Sequence, residues 1–473
     1  MKQARFIRAD RLELVRFVLG LLVRGVFCRR VLSMRLLYNV LFLVFFFLSA
    51  PFYFLKMWRR GNWCRGLGQR FGFYDSDVRR RLCGDRPVVW MHAVSVGEVN
   101  VCVPLQRELA RRLPEVDWVI STTTSTGMGE LRKKLPEEVV TVYYPIDFRG
   151  AVSRAWSVIR PRAVILVEAE IWPNFLWRAA RERVPVMLVN ARLSDRSYRG
   201  YRRFRFFLGS VFGSLAAVAA QSEEDRRRWI EVGCQADRVE CTGNLKFDIG
   251  VGGDTCRLDV EALLKRGCVA LKGPVIVGGS THAGEESVLA RIFLRLKREF
   301  TDAVLILVPR HMERAAAVEK ELAQLGLPCR RRSQIDAVND MARENEMTSV
   351  NCLLVDTTGE LNDFYQVADV VFVGKTLTAK GGQNPIEPAA WGKPVLAGPH
   401  MENFRDVGRL LVKSGGLIQV SDSAALERCL RQLMSDDPLR EQTGRHALSA
   451  VDRNRGSVVN TAKSCKTVIL GAL

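Results

Sequence analysis

Residues 87–98 read PVVWMHAVSVGE: an apolar run, a turn of small residues, and the opening of a charged helical stretch. The same pattern recurs at Trp118–Ser121, Ala163–Val167, Val184–Val189, Ala216–Gln221 and Val239–Thr242. A second series follows at Pro274–Val277, Val304–Val308, Cys352–Val355, Val370–Val373 and Pro394–Leu396. Continuous Val/Ile/Leu runs between helices are the signature of parallel strands covered on both faces. Two series predict two doubly wound, Rossmann-like α/β domains, joined near the Gly-rich stretch Asp248–Thr255. Ligands of such sheets bind beyond the C-terminal strand ends, so the loops after these runs are where chemistry is expected.

The chain has 473 residues, 48% of them hydrophobic, enough for real cores and too much for a disordered, fibrous or small disulfide-stapled protein. Its 12 cysteines are scattered with no Cys-x-x-Cys pair, and only 5 histidines accompany them, which argues against a structural zinc module and for thiols mostly buried and reduced. The net charge of +20 points to an anionic partner: nucleic acid, phospholipid headgroups or a phosphorylated substrate.

Leu36 to Leu55 (LLYNVLFLVFFFLSAPFYFL) carries no charge and has the length of a membrane anchor. A core helix is rarely apolar on every face, and the segment is too long for a signal-peptide core. Arg29, Arg30 and Arg35 precede it and Lys56, Arg59, Arg60 and Arg65 follow, so positive charge flanks both ends. Residues 1–35 hold nine basic and two acidic groups, a +7 extension unfavourable to translocate. Either Pro51 turns the segment back, or translation starts at Met34 rather than Met1; Met34 is favoured. Both readings leave the bulk of the chain on the cytoplasmic side.

Several loops carry candidate chemistry. In His92–Glu98, Gly97 would allow close backbone approach, and Glu98 in the first helical turn could act as general base or simply offset the helix dipole. Glu168 and Glu170, at the end of an apolar strand before Pro173, are expected to share one side of the extended strand and could hold an acceptor, orient a cationic partner or cap a helix. Lys246 could neutralise a ligand anion or be a plain surface lysine. Gly278–Thr281 reads as a glycine loop between strand and helix, a phosphate cradle without a Walker ending. Arg310 and His311 follow Pro309 at a strand end; Asp356–Leu361 and Gly381–Pro388 run into helices, with Glu387 placed for a ribose. Together these outline a nucleotide site in the C-terminal half.

Two further patterns compete. Asp75-Ser76-Asp77 has the Asp-x-Asp form of a metal site but lies before the first strand, not at a strand end. Arg192, Arg196, Arg199, Arg202, Arg203 and Arg205, interleaved with Tyr198, Tyr201, Phe204, Phe206 and Phe207, resemble an RNA surface; beside an apolar anchor they fit lipid headgroups better.

In order along the chain stand HAVSVGE, EAEIWPN, NARLSDRS, GNLKFD, GSTHAGEE, LVPRH, TTGEL and GGQNPIEPAAWGKPVLAGPHMENF. This set resembles the Kdo (3-deoxy-D-manno-octulosonic acid) transferases of lipid A biosynthesis, from about Leu36 onward. The resemblance implies a GT-B glycosyltransferase: two Rossmann-like domains facing a cleft, with an N-terminal membrane anchor helix. Its parts would be the basic extension 1–35, the anchor 36–55, an acceptor domain 56–248 and a donor domain 249–473. It implies an inverting transfer of Kdo from CMP-Kdo to the lipid A precursor, lipid IVA, at the inner membrane phospholipid, with the catalytic domains on the cytoplasmic face. No cofactor, metal or nucleic acid enters. Glu98 matches the family's general base, and Glu168 and Lys246 match positions that stabilise the transition state. CMP contacts would fall on Pro309 and Arg310, on Thr358, Gly359 and Glu360, and on Asn384, Pro385, Ile386 and Glu387. Glu170 is not supported by the match. Gln383 stands where the family usually has His, and residues 1–33 have no counterpart. A UDP-sugar transferase of the envelope and a non-catalytic membrane-tethered binding protein are the competing readings. Single-, double- and higher-transfer enzymes share these motifs.

Overall fold

The computed structural model describes residues 35–49, 66–168, 171–249, 258–269, 271–336 and 349–473. The basic extension and its two candidate start sites up to 34, the second part of the apolar segment with its basic flank (50–65), Glu170, and most of the Gly-rich join (250–257) lie outside the described residues.

The first sheet has strands β1 (Val88–His92), β2 (Asp117–Thr122), β3 (Val140–Tyr143), β4 (Pro161–Val167), β5 (Val186–Ala191), β6 (Ala217–Ala220) and β7 (Val239–Cys241). They lie in the order β3-β2-β1-β4-β5-β6-β7, and every pairing is parallel. The second sheet has β8 (Val275–Thr281), β9 (Val304–Pro309), β10 (Arg330–Arg331), β11 (Cys352–Leu354), β12 (Val370–Val373), β13 (Val395–Ala397) and β14 (Leu417–Gln419). Their order is β10-β11-β9-β8-β12-β13-β14, again all parallel. The α/β expectation of two Rossmann-like folds therefore holds. The strands the apolar runs do not reveal, β3, β10 and β14, are all at sheet edges, where one neighbour suffices and the run can be short or polar.

Strand alternation explains why both faces are apolar. In β9, Val304, Ile306 and Val308 join one core cluster, whereas Leu305 and Leu307 join the cluster on the opposite face. Helices cover each face, and their starts are written locally: Ser95, Thr124, Ser194 and Ser222 accept a backbone N–H as N-caps, and Pro173 occupies a first turn. Among the nine described cysteines, all free, four are buried, three intermediate and two exposed, fewer in the core than composition suggests.

The chain divides into two compact units. One holds residues up to Gly243 together with Val459–Leu473; the other is Asn244–Val458. The division falls before the expected 248/249 boundary, and residues 459–473 belong with the first unit instead of the second. In the first unit Thr461 donates its hydroxyl to Thr242 at 2.9 Å, and Cys465 and Ile469 are buried. A strand–helix alternation cannot reveal this return, because it does not say which sheet a closing helix covers.

The apolar N-terminal segment forms a helix over residues 35–49. Among the described residues no helix is long and apolar enough to cross a membrane. One stripe of this helix packs on the first unit. Tyr38 meets Trp177 edge-on, and Phe42 and Phe46 meet Phe148, with ring centroids 5.6, 5.2 and 4.8 Å apart. The opposite side exposes Leu36, Leu37, Val40, Leu41, Leu43, Val44, Phe45, Phe47 and Leu48.

Candidate active site

In the first sheet the chain runs outward from β1 to β2 and β3, then returns to the other side of β1 with β4. The switch point between β1 and β4 is where a ligand crevice forms in such sheets. Glu98 follows β1 and Glu168 follows β4, so the two carboxylates flank that point. Strand registry places His92 of β1 beside Leu166 of β4.

Glu98 is the third residue of helix Val96–Arg112 and is only 8% exposed. Its Oε2 accepts from the Val94 backbone N–H at 2.8 Å and its Oε1 from the Ser95 hydroxyl at 3.0 Å, while Ser95 Oγ accepts from the Glu98 N–H. This is a capping-box variant in which the carboxylate is fixed in one pose at a helix N-terminus. The dipole-complementing role is thus real, and it also orients the group as a base must be oriented. A methyl group added to Gly97 would meet nothing nearer than Ser95 Oγ, at 3.7 Å, so close backbone approach is not the reason for this glycine. Beneath the loop, His92 is fully buried, stacked on Tyr144 with centroids 3.7 Å apart, and bonded through Nδ1 to Ser121; burial pushes its pKa down to about 3, so it is neutral.

Glu168 sits just past β4 with φ +64°, a left-handed conformation costly for a residue with a side chain. It therefore leaves the extended strand, contrary to the expectation that Glu168 and Glu170 share one strand face. Its N–H is held by Val189 O at 2.9 Å. The turn ends the buried strand at Val167, and Glu168 beyond it is half-buried.

In the second unit, Lys246 heads the short helix Lys246–Ile249, its N–H held by Asn244 Oδ1 at 3.0 Å. Asn244 is buried and Lys246 half-buried, so the preceding turn is rigid and the lysine is not a freely solvated one.

The residues expected to contact CMP follow strands β9, β11 and β12 of the second sheet. Pro309 ends β9 and is buried; Arg310 next to it is exposed. Glu360 accepts a two-pronged ion pair from the buried Arg332, at 3.1 and 3.2 Å, and a hydroxyl bond from Thr357 at 2.6 Å. That network presents Thr358 and Gly359 at an exposed tip, with Gly359 at φ +91°. Asn384 Oδ1 accepts from the Ile386 N–H at 3.0 Å and its amide donates to Glu387 at 3.0 Å, which fixes the Asn384–Glu387 turn around buried Pro385 and Ile386. Burial pushes the Glu387 carboxyl up, and the Asn384 bond and the charge of Arg310 pull it back down. Arg310 and Glu387 thus share one electrostatic neighbourhood.

One expectation fails here. Gly278–Thr281 is not a cradle loop: β8 continues through Thr281, and helix Glu285–Leu296 starts after it. A side chain at Gly279 would lie 2.4 Å from the buried Tyr365 hydroxyl, so the glycine is required by packing. The Asp75-x-Asp77 pattern is also accounted for locally: Asp75 caps helix Ser76–Arg81 and Asp77 pairs with Arg80 at 3.5 Å. From Arg196 onward the arginine-aromatic cluster runs along helices Asp195–Arg203 and Arg205–Phe212 and the Phe204 between them, with Phe204 and Phe206 exposed by 51% and 80%; Arg192 precedes both helices.

Sequence reasoning overlooks two buried carboxylates. Asp147, 1% exposed, accepts from the N–H groups of Asn174 and Phe175 at 3.0 and 2.9 Å and holds the start of helix Pro173–Glu182. Glu285, fully buried, accepts from four backbone N–H groups, those of His282, Lys375, Thr376 and Leu377. The acidic residue in Pro-Ile-Asp and the acidic pair in Gly-Glu-Glu are visible in the sequence, but not the backbone groups they would serve.

Comparison with known proteins gives a consistent result. A family profile described as "3-Deoxy-D-manno-octulosonic-acid transferase (kdotransferase)" matches residues 65–249. The chain is 31% identical over 393 residues to a 3-deoxy-D-manno-octulosonic acid transferase of Haemophilus influenzae, covering 83% of this chain and 88% of that one. It is 34% identical over 419 residues to one from Bordetella pertussis, covering 85% and 92%. Among solved structures, UDP-GlcNAc 2-epimerase from Neisseria meningitidis bound to UDP-GlcNAc superimposes with a TM-score of 0.52 at 13% identity, covering 81% of this chain and 100% of that one, a likeness of fold alone.

Proposed function

The chain belongs to the Kdo transferase family, a glycosyltransferase family of lipopolysaccharide synthesis, and on that premise we propose that it moves Kdo from CMP-Kdo to the lipid A precursor, lipid IVA, with inversion at the anomeric carbon. The observation that carries the mechanism is the pose of Glu98: a nearly buried carboxylate, held by Val94 and Ser95 beside the switch point of the first sheet. In this reading Glu98 takes the proton of an acceptor hydroxyl. The hydroxyl oxygen bonds to the anomeric carbon as the bond from that carbon to the phosphate oxygen breaks, and its electron pair leaves with CMP. The phosphodiester monoanion becomes a monoester dianion, and Lys246 and Arg310 are assigned to that growing charge. Glu168 is assigned to the transition state, as a residue whose strained backbone is kept at the same switch point. The CMP moiety is assigned to Pro309, Arg310, Thr358, Gly359, Glu360 and the Asn384–Glu387 turn.

The same reading places the chain on the inner membrane with the catalytic units on the cytoplasmic side. Its support is the helix over residues 35–49: it is docked by one stripe and leaves nine large apolar side chains uncovered. The exposed Phe204 and Phe206 among arginines would add a second contact with anionic headgroups.

The test is transfer by the purified full chain, presented with lipid IVA and either CMP-Kdo or UDP-sugars, with the lipid product weighed by mass spectrometry. Kdo-bearing product with CMP release only from CMP-Kdo is expected; an intact donor beside unmodified lipid overturns the reading.

A further inference from the structure

The second sheet has its own switch point. From β8 the chain runs outward through β9 to β11 and β10, then returns to the other side of β8 with β12. His282 directly follows β8, Lys375 follows β12, and Arg310 follows β9, so three nitrogen-bearing side chains stand at three neighbouring strand ends. Such strands lie about 4.8 Å apart, a spacing suited to one small ligand with more than one negative group.

Lys375 is held there at a cost. Its φ is +58°, left-handed, and the preceding Gly374 passes so close to β8 that a side chain on it would lie 2.3 Å from Ser280 O. Glu285 secures the conformation: its buried carboxylate takes the N–H of Lys375 at 2.7 Å and that of His282 at 2.8 Å, so one anion fixes both residues. The lysine side chain runs over Gly381, whose missing methyl leaves 3.3 Å to Cε and 3.5 Å to Nζ. The amino group therefore sits against the loop that continues into Gln383 and Asn384. Nearby carboxylates are engaged elsewhere: Glu285 as above, Glu286 with Arg314 and Thr281, Glu402 with the Gly381 N–H, Glu387 with Asn384. Among the described residues no carboxylate forms an ion pair with Lys375. His282 meets Gln383 at 3.3 Å between Nε2 atoms and packs edge-on to His311.

An acid sugar activated as in CMP-Kdo carries two anions on its anomeric carbon, the phosphodiester and a carboxylate. Arg310 is assigned to the first, and the second requires a partner of its own. We infer that Lys375, with His282 beside it, binds the carboxylate of the donor sugar, an inference that rests on the CMP-Kdo reading above. Burial and the charge of Lys375 hold the His282 imidazole below its ordinary pKa, so it serves as a neutral N–H donor beside the ammonium.

The experiment compares CMP, which lacks the carboxylate, with CMP-Kdo on the full-length chain by calorimetry. Lys375→Met is expected to bind CMP within about twofold of wild type and CMP-Kdo roughly 10- to 100-fold more weakly, the size of a lost charge-assisted bond. Lys375→Arg restores part of the difference, and His282→Gln loses less than Lys375→Met, again on CMP-Kdo alone. Unchanged CMP binding shows that each variant is folded. Equal losses for both ligands, or no loss for CMP-Kdo, overturn the inference and leave the donor reading intact. A wild-type chain that binds neither ligand overturns the donor reading first, and this inference with it.

Discussion

Tyr38 donates its hydroxyl to Asp147 Oδ2 at 2.7 Å, tying the helix over residues 35–49 to the carboxylate that also holds the first turn of helix Pro173–Glu182. Asn39 and Asn174 exchange amide bonds alongside, at 2.9 and 3.3 Å. The apolar helix is therefore fastened by polar groups at its contact stripe, and its exposed side is left to other partners.

Burial pushes the Asp147 carboxyl up from 3.8 to about 7. Between those two values the folded chain holds a proton that the unfolded chain has released, so this group's contribution to stability is fully present in acid, declines as the pH rises from about 4, and is lost by about 7. In denaturant melts, wild type should therefore lose stability relative to Asp147→Asn across that window, and the difference between the two should level off above it. Parallel pH profiles for the two proteins would show that Asp147 does not titrate there.

Glu98→Gln keeps an oxygen acceptor for the Val94 N–H, presents an amide N–H to Ser95 Oγ where Glu98 accepted its hydroxyl, and cannot take a proton. Turnover with CMP-Kdo should fall by about 10²–10⁴-fold. The melting temperature should stay close to wild type, since Glu98→Ala, which also removes the cap, is the variant expected to lose about 1 kcal/mol. Normal turnover by Glu98→Gln would remove it from the base position.

Arg310→Ala should weaken CMP itself, by roughly 10- to 100-fold, because the contact assigned to it is with the phosphate. Titration calorimetry with CMP reads this directly, and an unaltered dissociation constant would place the phosphate elsewhere.

Gly374→Ala would force a methyl group against Ser280 O. The expected cost is about 1–3 kcal/mol in urea unfolding, with weakened CMP-Kdo binding because β8 and β12 are pushed apart. A variant as stable as wild type would mean that the two strand ends yield freely.

Phe45→Glu and Leu48→Glu add charge to the exposed side of the 35–49 helix, away from Tyr38 and Phe46. Co-sedimentation with phosphatidylglycerol-containing vesicles should drop severalfold, with catalysis on detergent-dispersed lipid largely retained. Full vesicle binding by the double variant would move the membrane contact to another surface.

Much of this architecture can be read directly from the chain. Apolar runs mark every central strand, since a strand covered on both sides has no polar position to spare. The edges escape: β10 is Arg330–Arg331, and no hydrophobic pattern could reveal it. Of the candidate site, the sequence supplies the loops, and the family motifs supply Glu98, Glu168 and Lys246. What it hides is dependence on distant backbone. The left-handed turns at Glu168 and Lys375 and the four N–H groups gathered by Glu285 arise from strands 90 or more residues apart in the case of Lys375, Thr376 and Leu377. Gly279 misleads for the same reason, because the Tyr365 ring that requires it comes from another segment.

The return of residues 459–473 to the first unit has a consequence for biosynthesis. During translation, Asn244–Val458 can close as soon as it clears the ribosome, but the earlier-made half must wait, incomplete, for a segment synthesised more than two hundred residues later. A nascent chain clipped after Val458 would thus carry a finished nucleotide-type fold behind an unfinished partner. Residues 459–473 are thus the last-made part of the first unit, whose other residues end at Gly243.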